Sequence, residues 1–325
     1  MSKRHGETRL FESGLQPELK SVCRSKGNEA ALAELPCRPT VYVLLPVHNR
    51  RGITVSFAKQ LEKQTYNNYR LLLIDDGSED GTAEAVREII NNVIVIRGNG
   101  NWWWAGSLQQ GYVWLKRSRV AGDDVVLIMN DDTLFEADFI SVGLRVLNDN
   151  PGALLTATGY NPKTGKPQDS GGYVMSWENL GVAETYENAE INCSSTRGLM
   201  ARVSDFLDVK GFFPRLIPHY LSDIEFTMRA GKMGKKLILH RDFRIGIDFE
   251  TTGHRELREG SFAEYLRTVF SKRATMNPIY WSNFILLHSP WRYKIVNLRR
   301  IWGAVYQQGV RTRLLRRLKR KLLGD

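Results

Sequence analysis

The chain has 325 residues, of which 42% are hydrophobic and 25% charged, the balance of a globular protein rather than a disordered or fibrous one. No run approaches the roughly 18 consecutive apolar residues of a membrane span, and the first seven residues lead into no apolar signal region, which predicts that the chain is not exported. The net charge of +11 is unevenly placed: between Trp291 and Asp325 eleven basic residues face one acid, so basicity belongs to the end of the chain and the remainder is close to neutral.

Residues 1–39 are polar and weakly patterned and read as an arm with one short helix over 29–35. A buried strand is expected over 40–45, ended by Pro46-Val47-His48-Asn49-Arg50, then a helix over 53–63. A second strand follows over 70–74, then the loop Asp75-Asp76-Gly77-Ser78-Glu79-Asp80-Gly81-Thr82, a helix over 82–90 and a third strand over 93–96. After a Gly/Asn/Trp loop come a helix over 106–116 and a fourth strand over 125–129. Strand and helix alternating at this spacing predict a doubly wound, mostly parallel α/β sheet. Further on, the sequence predicts a helix over 137–148, a strand over 153–157 and a turn cluster over 161–166. Short antiparallel strands over 172–175 and 199–203, a helix over 221–230 and a strand over 236–240 come next, and from about 261 the chain is helical and aromatic, then basic. The three cysteines, Cys23, Cys37 and Cys193, have neither metal-site nor disulfide spacing, so a reducing, cytoplasmic setting is the expectation.

The chemistry gathers at strand ends. Val125-Val126-Leu127-Ile128-Met129 runs straight into Asn130-Asp131-Asp132, which places two carboxylates at the edge where open α/β sheets take their ligands. Adjacent acids at a buried edge repel, so a positive group should sit between them. An oxygen-only set favours Mg²⁺ or Mn²⁺ over zinc, and such ions commonly bridge carboxylates and substrate phosphates. The loops after the first and second strands reach the same edge and bring Pro46, His48 and Arg50, and Asp75 and Asp76. No Gly-x-Gly-x-x-Gly follows a strand and no P-loop is present, so neither a dinucleotide site nor a P-loop is supported.

Leu44-Leu45-Pro46-Val47-His48-Asn49-Arg50, Leu73-Ile74-Asp75-Asp76-Gly77-Ser78-Glu79-Asp80-Gly81-Thr82 and Met129-Asn130-Asp131-Asp132-Thr133 together resemble the inverting nucleotide-sugar glycosyltransferases of family 2, with the GT-A fold, over roughly residues 41–255. The Trp loop Gly98-Asn99-Gly100-Asn101-Trp102-Trp103-Trp104-Ala105-Gly106 is similar to rhamnosyltransferase-like members that build bacterial surface polysaccharides such as O-antigen. The resemblance implies a catalytic domain over 40–255, with a nucleotide-sugar half over 40–135 and an acceptor half over 136–255 that carries a small antiparallel sheet. A helical C-terminal extension follows over 256–325. It implies donor binding by Pro46, His48, Arg50, Asp75, Asp76, Asn101, Trp103, Asn130 and Asp131, and a divalent ion on Asp132 with His254 near it. Asn130 stands where the family's metal motif has an acid. Leu221-Ser222-Asp223-Ile224-Glu225 is similar to the family's Glu-Asp motif with Ser222 in place of Glu, so Asp223 falls where the general base sits, with Glu225 in reserve and Arg197 on the acceptor side.

The activity so implied moves a sugar, rhamnose from dTDP-rhamnose as the first reading and galactofuranose or another hexose from a UDP-sugar as the second, onto a glycan carried on a polyprenyl diphosphate. Three alternatives stand beside it: a sugar nucleotidyltransferase, a non-catalytic lectin or scaffold, and a basic nucleic-acid-binding protein. The first would carry a Gly-rich basic loop after the first strand. The last lacks aromatics among its charges, so no specific nucleic acid is expected. In the tail Leu298, Ile301, Trp302, Val305, Val310, Leu314, Leu315, Leu318 and Leu322 recur at helical spacing among Arg and Lys. A basic amphipathic helix over 291–325 predicts peripheral attachment to an anionic membrane surface, at the inner face of the plasma membrane.

Overall fold

The computed structural model describes residues 38–247 and 262–311. The helix expected over 29–35, His254 and the basic run beyond Arg311 lie outside these residues. The first half alternates as the sequence does: β1 (Val41–Val47), α1 (Arg51–Glu62), β2 (Tyr69–Asp75), α2 (Thr82–Arg87), β3 (Val93–Arg97), α3 (Trp103–Arg117) and β4 (Val125–Ile128). Each of β1, β2 and β4 is apolar at nearly every position because the sheet is covered on both faces. Val43, Leu45, Leu71, Leu73, Val125 and Leu127 point to one core, against Phe57, Ala58 and Leu61 of α1 and Ala83 and Val86 of α2. Their neighbours Leu44, Leu72, Ile74, Val126 and Ile128 point to the other, against Ala105, Leu108, Tyr112 and Leu115 of α3. The two-residue period of a strand thus feeds two separate cores from one apolar run.

The second half continues with β5 (Thr133–Leu134), α4 (Phe139–Asp149), β6 (Ala153–Tyr160), β7 (Pro167–Asp169), β8 (Gly172–Ser176), β9 (Gly181–Glu184), β10 (Cys193–Ser194), β11 (Leu199–Arg202), α5 (Val203–Asp208), α6 (Ser222–Lys232) and β12 (Lys236–Ile247). The main sheet runs β3-β2-β1-β4-β11-β6-β12-β5, with β7 paired to β6. It is parallel from β3 to β4, then β11 enters antiparallel between β4 and β6. A small antiparallel sheet, β10-β8-β9, stands apart from it.

The short antiparallel strand expected over 199–203 is β11, and it lies in the main sheet, where its Leu199 and Ala201 fill the core with Phe206 and Phe226. Two expectations change. β12 runs to Ile247 rather than 240, since the polar residues His240, Arg241 and Asp242 only mark a bulge between Leu239 and Arg244. The tail does not present the whole of its apolar stripe: in α9 (Trp291–Val305) Ile301 is buried and Leu298 packs with it against the core of Trp281, Phe284 and Ile285.

α7 (Phe262–Val269), α8 (Pro278–His288) and α9 form the helical extension. Asn277 caps α8, accepting from the N–H groups of Ile279 and Tyr280, with Pro278 in the first turn. α8 is fastened to α6 through a buried charge cluster. Glu225 is 1% exposed; its oxygens accept from Arg229 Nε and Nη2, each at 2.8 Å, and its Oε1 lies 3.2 Å from His288 Nε2. Arg229 and His288 outweigh burial and hold the Glu225 carboxyl below its ordinary range. Removing one member of such a pair leaves the other charge buried, at a cost of about 3–5 kcal/mol. Glu225→Ala is therefore expected to lower the stability of the fold by about that amount in urea unfolding, while Glu225→Gln loses less. A change under about 0.5 kcal/mol in Glu225→Ala would contradict this role.

Candidate active site

β1 lies between β2 and β4, since the chain works outward to β3 and then returns to the other side of β1. The loops leaving β1 and β4 come together at the C-terminal ends of these neighbouring strands, the edge at whose crevice open α/β sheets take their ligands. Arg50, from the first loop, spans the acid pair from the second. Its Nε is 3.3 Å from Asp131 Oδ1 and its Nη2 3.2 Å from Asp132 Oδ2. Thr54, one turn into α1, donates its hydroxyl to Asp131 Oδ2 at 2.9 Å. Burial pushes the Asp131 carboxyl up against the opposing pull of Arg50 and Thr54, and the Asp132 charge adds to the rise.

Among the described residues no three His, Cys, Asp or Glu side chains converge as a metal cage. Ions of the Mg²⁺ kind do not require one, being held by one or two carboxylates plus substrate phosphates. The Asn130 Oδ1 is buried without a hydrogen-bond partner, and Asp132 keeps part of its carboxylate at the crevice. This oxygen set fits such an ion completed by phosphate.

Asp76, placed by its motif on the donor side, carries four hydrogen bonds of its own. Its Oδ1 accepts from the N–H of Gly100 at 2.9 Å and of Asn101 at 3.1 Å. Its Oδ2 accepts from Trp102 at 2.7 Å and Trp103 at 3.1 Å. Four charge-assisted bonds use the acceptor sites of a carboxylate. Asp76 thus builds the Trp loop and anchors the start of α3, which begins at Trp103 and not at 106 for this reason. Asp75 Oδ1 accepts from Ser78 N, and its carboxylate, which carries fewer hydrogen bonds than that of Asp76, is buried at the end of β2. His48 Nδ1 lies 2.7 Å from the Asp76 carbonyl, tying the first loop to the second, and Pro46, next to last in β1, is half-buried.

Beside the acid pair lies a cleft of about 490 Å³, lined by Trp104, Asn130, Asp169, Arg197, His219 and Asp223 among others. Four buried side-chain polar atoms lack partners among the described residues, and three of them, Asn130 Oδ1, Arg197 Nε and His219 Nδ1, belong to this lining. A buried polar atom left alone costs about 1–3 kcal/mol, so three in one cleft mark a place prepared for a polar ligand. Backbone strain gathers here too: Asn49, Trp103 and Leu221 have φ of 51°, 59° and 69° in the left-handed region that disfavours side chains. Leu221 immediately precedes α6, and this turn sets Asp223 into the cleft.

Asp223 accepts from the Ile224 N–H at 3.0 Å. Burial pushes its carboxyl up, opposed by backbone N–H groups and by Arg197, while Asp169 reinforces the rise. Arg197 Nη1 is 3.9 Å from Asp169 Oδ2, and Asp169 Oδ1 accepts from the Tyr173 hydroxyl at 2.7 Å. Glu225 is not among the residues of this cleft, because its carboxylate is spent on Arg229 and His288.

Asn101 and Trp103 sit at the rim. Asn101 Oδ1 accepts from Lys272 Nζ at 2.7 Å and from Trp103 Nε1 at 3.3 Å. Lys272 Nζ and Arg273 Cζ lie 5.8 and 5.7 Å from the Trp103 ring centroid. Trp104 is wedged against the core of α3 and donates to Thr196 Oγ1 at 3.2 Å. Sequence reasoning missed Asp169, Tyr173, His219, Lys272 and Arg273. His219 alone had a signal, standing four residues before Asp223; burial and the nearby Arg273 charge push its pKa down to about 4, so it is a neutral imidazole.

The family model for glycosyl transferase family 2 matches residues 42–206, half of the chain. A mannosyltransferase of Pyrobaculum calidifontis, PcManGT, solved in complex with GDP-Man and Mn²⁺, is similar in structure with a TM-score of 0.50 and 14% identity, over 84% of this chain and 76% of that one. S. aureus TarS is similar with a TM-score of 0.51 and 17% identity over 83% of this chain, which spans only 55% of TarS. At these identities the likeness is one of fold, the GT-A arrangement of a mixed sheet with a small antiparallel sheet and a helical extension. No curated protein matches the chain.

Proposed function

We propose that this chain, which belongs to glycosyl transferase family 2 and is a glycosyltransferase, inverts the anomeric carbon of a nucleotide-bound sugar as it moves that sugar to an acceptor hydroxyl. The observation that carries the reading is the cleft at the acid pair: Asn130, Arg197 and His219, each with a buried polar atom that lacks a partner, line one space together with Asp223. A polyhydroxyl ligand offers both donors and acceptors to such a lining.

In this reading Asp75, Asn101 and Trp103 hold the nucleotide, with Asn130 and Asp132 turned to the diphosphate. A divalent ion there, of the kind PcManGT was solved with, supplies neutralising charge to the leaving diphosphate. Asp223 takes the proton of the acceptor hydroxyl as its oxygen bonds to the anomeric carbon, while the bond from that carbon to the diphosphate oxygen breaks on the opposite face. One base suffices for a single displacement. The raised pKa suits a base that must hold a proton briefly near neutral pH, and it sets the acid limb of turnover above the ordinary aspartate range. Rhamnose is the sugar favoured by the Trp-loop resemblance, with a UDP-hexose as the second reading.

The expected acceptor is a glycan on a polyprenyl diphosphate, which requires a membrane surface. Among the described residues no helix is long and apolar enough to cross a membrane. The corner between α8 and α9, however, exposes Leu286, Leu287, Trp291 and Ile295, with Trp291 86% exposed, beside Arg292, Lys294 and Arg299. An apolar corner set among cations suits the interface of an anionic leaflet, where each Lys or Arg contributes about 1 kcal/mol.

Two measurements test these readings. Asp223→Asn is expected to lose roughly 10²–10⁴-fold in turnover with nucleotide affinity retained, whereas Asp132→Ala loses Mn²⁺-dependent nucleotide binding. Parental turnover in Asp223→Asn would remove it as the base. Trp291→Glu with Ile295→Glu is expected to abolish sedimentation with anionic vesicles at low salt while sparing transfer to a soluble acceptor. A parent chain that ignores such vesicles contradicts the membrane reading.

A further inference from the structure

Arg50 occupies the place where a cation is required, and it does so with the chain's own charge. Its two contacts come from different nitrogens to different carboxylates, so one guanidinium bridges both acids and offsets one of their two charges. Its backbone is fixed, because the Arg50 carbonyl accepts from Thr54 N at 2.9 Å. Its side chain is 36% exposed and open to the crevice, and no other ion pair holds it among the described residues. A divalent ion on Asp132 would lie within a few ångströms of this guanidinium, and the two cations repel strongly at low local dielectric. A diphosphate, by contrast, presents the oxygen pairs that a guanidinium grips in bidentate fashion.

We propose that Arg50 is a resident counter-cation that keeps the metal position closed until a nucleoside diphosphate arrives. The diphosphate draws the guanidinium off Asp132, frees that carboxylate and adds its own oxygens to the ion's shell. Nucleotide then binds before metal, and free ion is held weakly. The inference rests on the reading of the crevice as a nucleotide-sugar site. It assigns Arg50 two partners in sequence, the acid pair and then the phosphate, where donor binding alone would give it one.

The test is Mn²⁺ affinity, read by the electron paramagnetic resonance of free ion, for the parent chain, Arg50→Gln and Arg50→Lys. Each is titrated with Mn²⁺ alone and with Mn²⁺ plus UDP, GDP or dTDP. Arg50→Gln is expected to bind Mn²⁺ alone about tenfold or more tightly than the parent, since a neutral amide no longer competes for the acids. It should also lose most of the gain that the right nucleotide gives the parent. Arg50→Lys keeps the charge, but one ammonium cannot span both carboxylates, so it too binds Mn²⁺ alone more tightly than the parent. It decides the matter if Arg50→Gln does not fold. Mn²⁺ affinity without nucleotide that is equal to or weaker than the parent's, in whichever variant folds, overturns the proposal. If none of the three nucleotides raises Mn²⁺ affinity in any protein, the nucleotide reading of the crevice fails instead, while the ratio of variant to parent for Mn²⁺ alone still decides Arg50.

Discussion

Two carboxylates at the buried end of a central strand cannot both stay ionised unless a positive group meets them. Much of this molecule answers that one constraint. β4 must lie beside β1 for the Arg50 loop to reach Asp131 and Asp132, and α1 must begin at once for Thr54 to add its hydroxyl. The parallel order of β3, β2, β1 and β4 delivers both, because it puts the reversal of strand order between the two loops that carry the charges. The strain at Asn49, one residue before Arg50, lies in the same turn.

A second carboxylate organises the neighbouring wall. Asp76 gathers four backbone N–H groups of the Trp loop, and that loop meets Lys272 and Arg273 of the segment before α8. The helical extension is therefore part of the cleft and not an addition behind it: Thr275, Met276 and Trp281 line it. Its seat depends on Glu225 with Arg229 and His288, while Thr227 of the same helix α6 bonds through its hydroxyl both the N–H and the carbonyl of Ser194 in β10. The helix that offers Asp223 to the cleft is in this way held on its other faces by groups that do no chemistry.

The strands and helices of the first half were legible because each strand is an unbroken apolar run and each helix keeps its period. The acid pair was legible only through its surroundings: an apolar run ending in acids is by itself an ordinary strand and turn, and the loops after β1 and β2 at the same sheet edge gave it meaning. What escaped was set by tertiary contact. Asp76 looks like a ligand from its motif, but only the folded loop reveals that its acceptor sites are filled. Glu225 stands two residues from Asp223, and the helical turn carries it to the opposite side, onto Arg229 and His288. Asp169 and Tyr173 come from short strands without periodicity: Asp169 meets Arg197 from β7, which pairs with β6, and Tyr173 reaches Asp169 from β8 of the small sheet. The stripe of α9 was read correctly as amphipathic, yet Leu298 and Ile301 are spent on the core, so the exposed apolar surface moves to the corner at Trp291.

The central claim is that the crevice binds a nucleotide sugar together with a divalent ion. A thermal-shift panel of dTDP-, UDP- and GDP-sugars, each with and without Mn²⁺, tests it most directly, since a ligand that binds only the folded chain raises its stability with the ratio of concentration to Kd. The account predicts that one nucleotide class raises the unfolding temperature and that Mn²⁺ increases the rise. No shift with any of the sugars, with or without the ion, would contradict it.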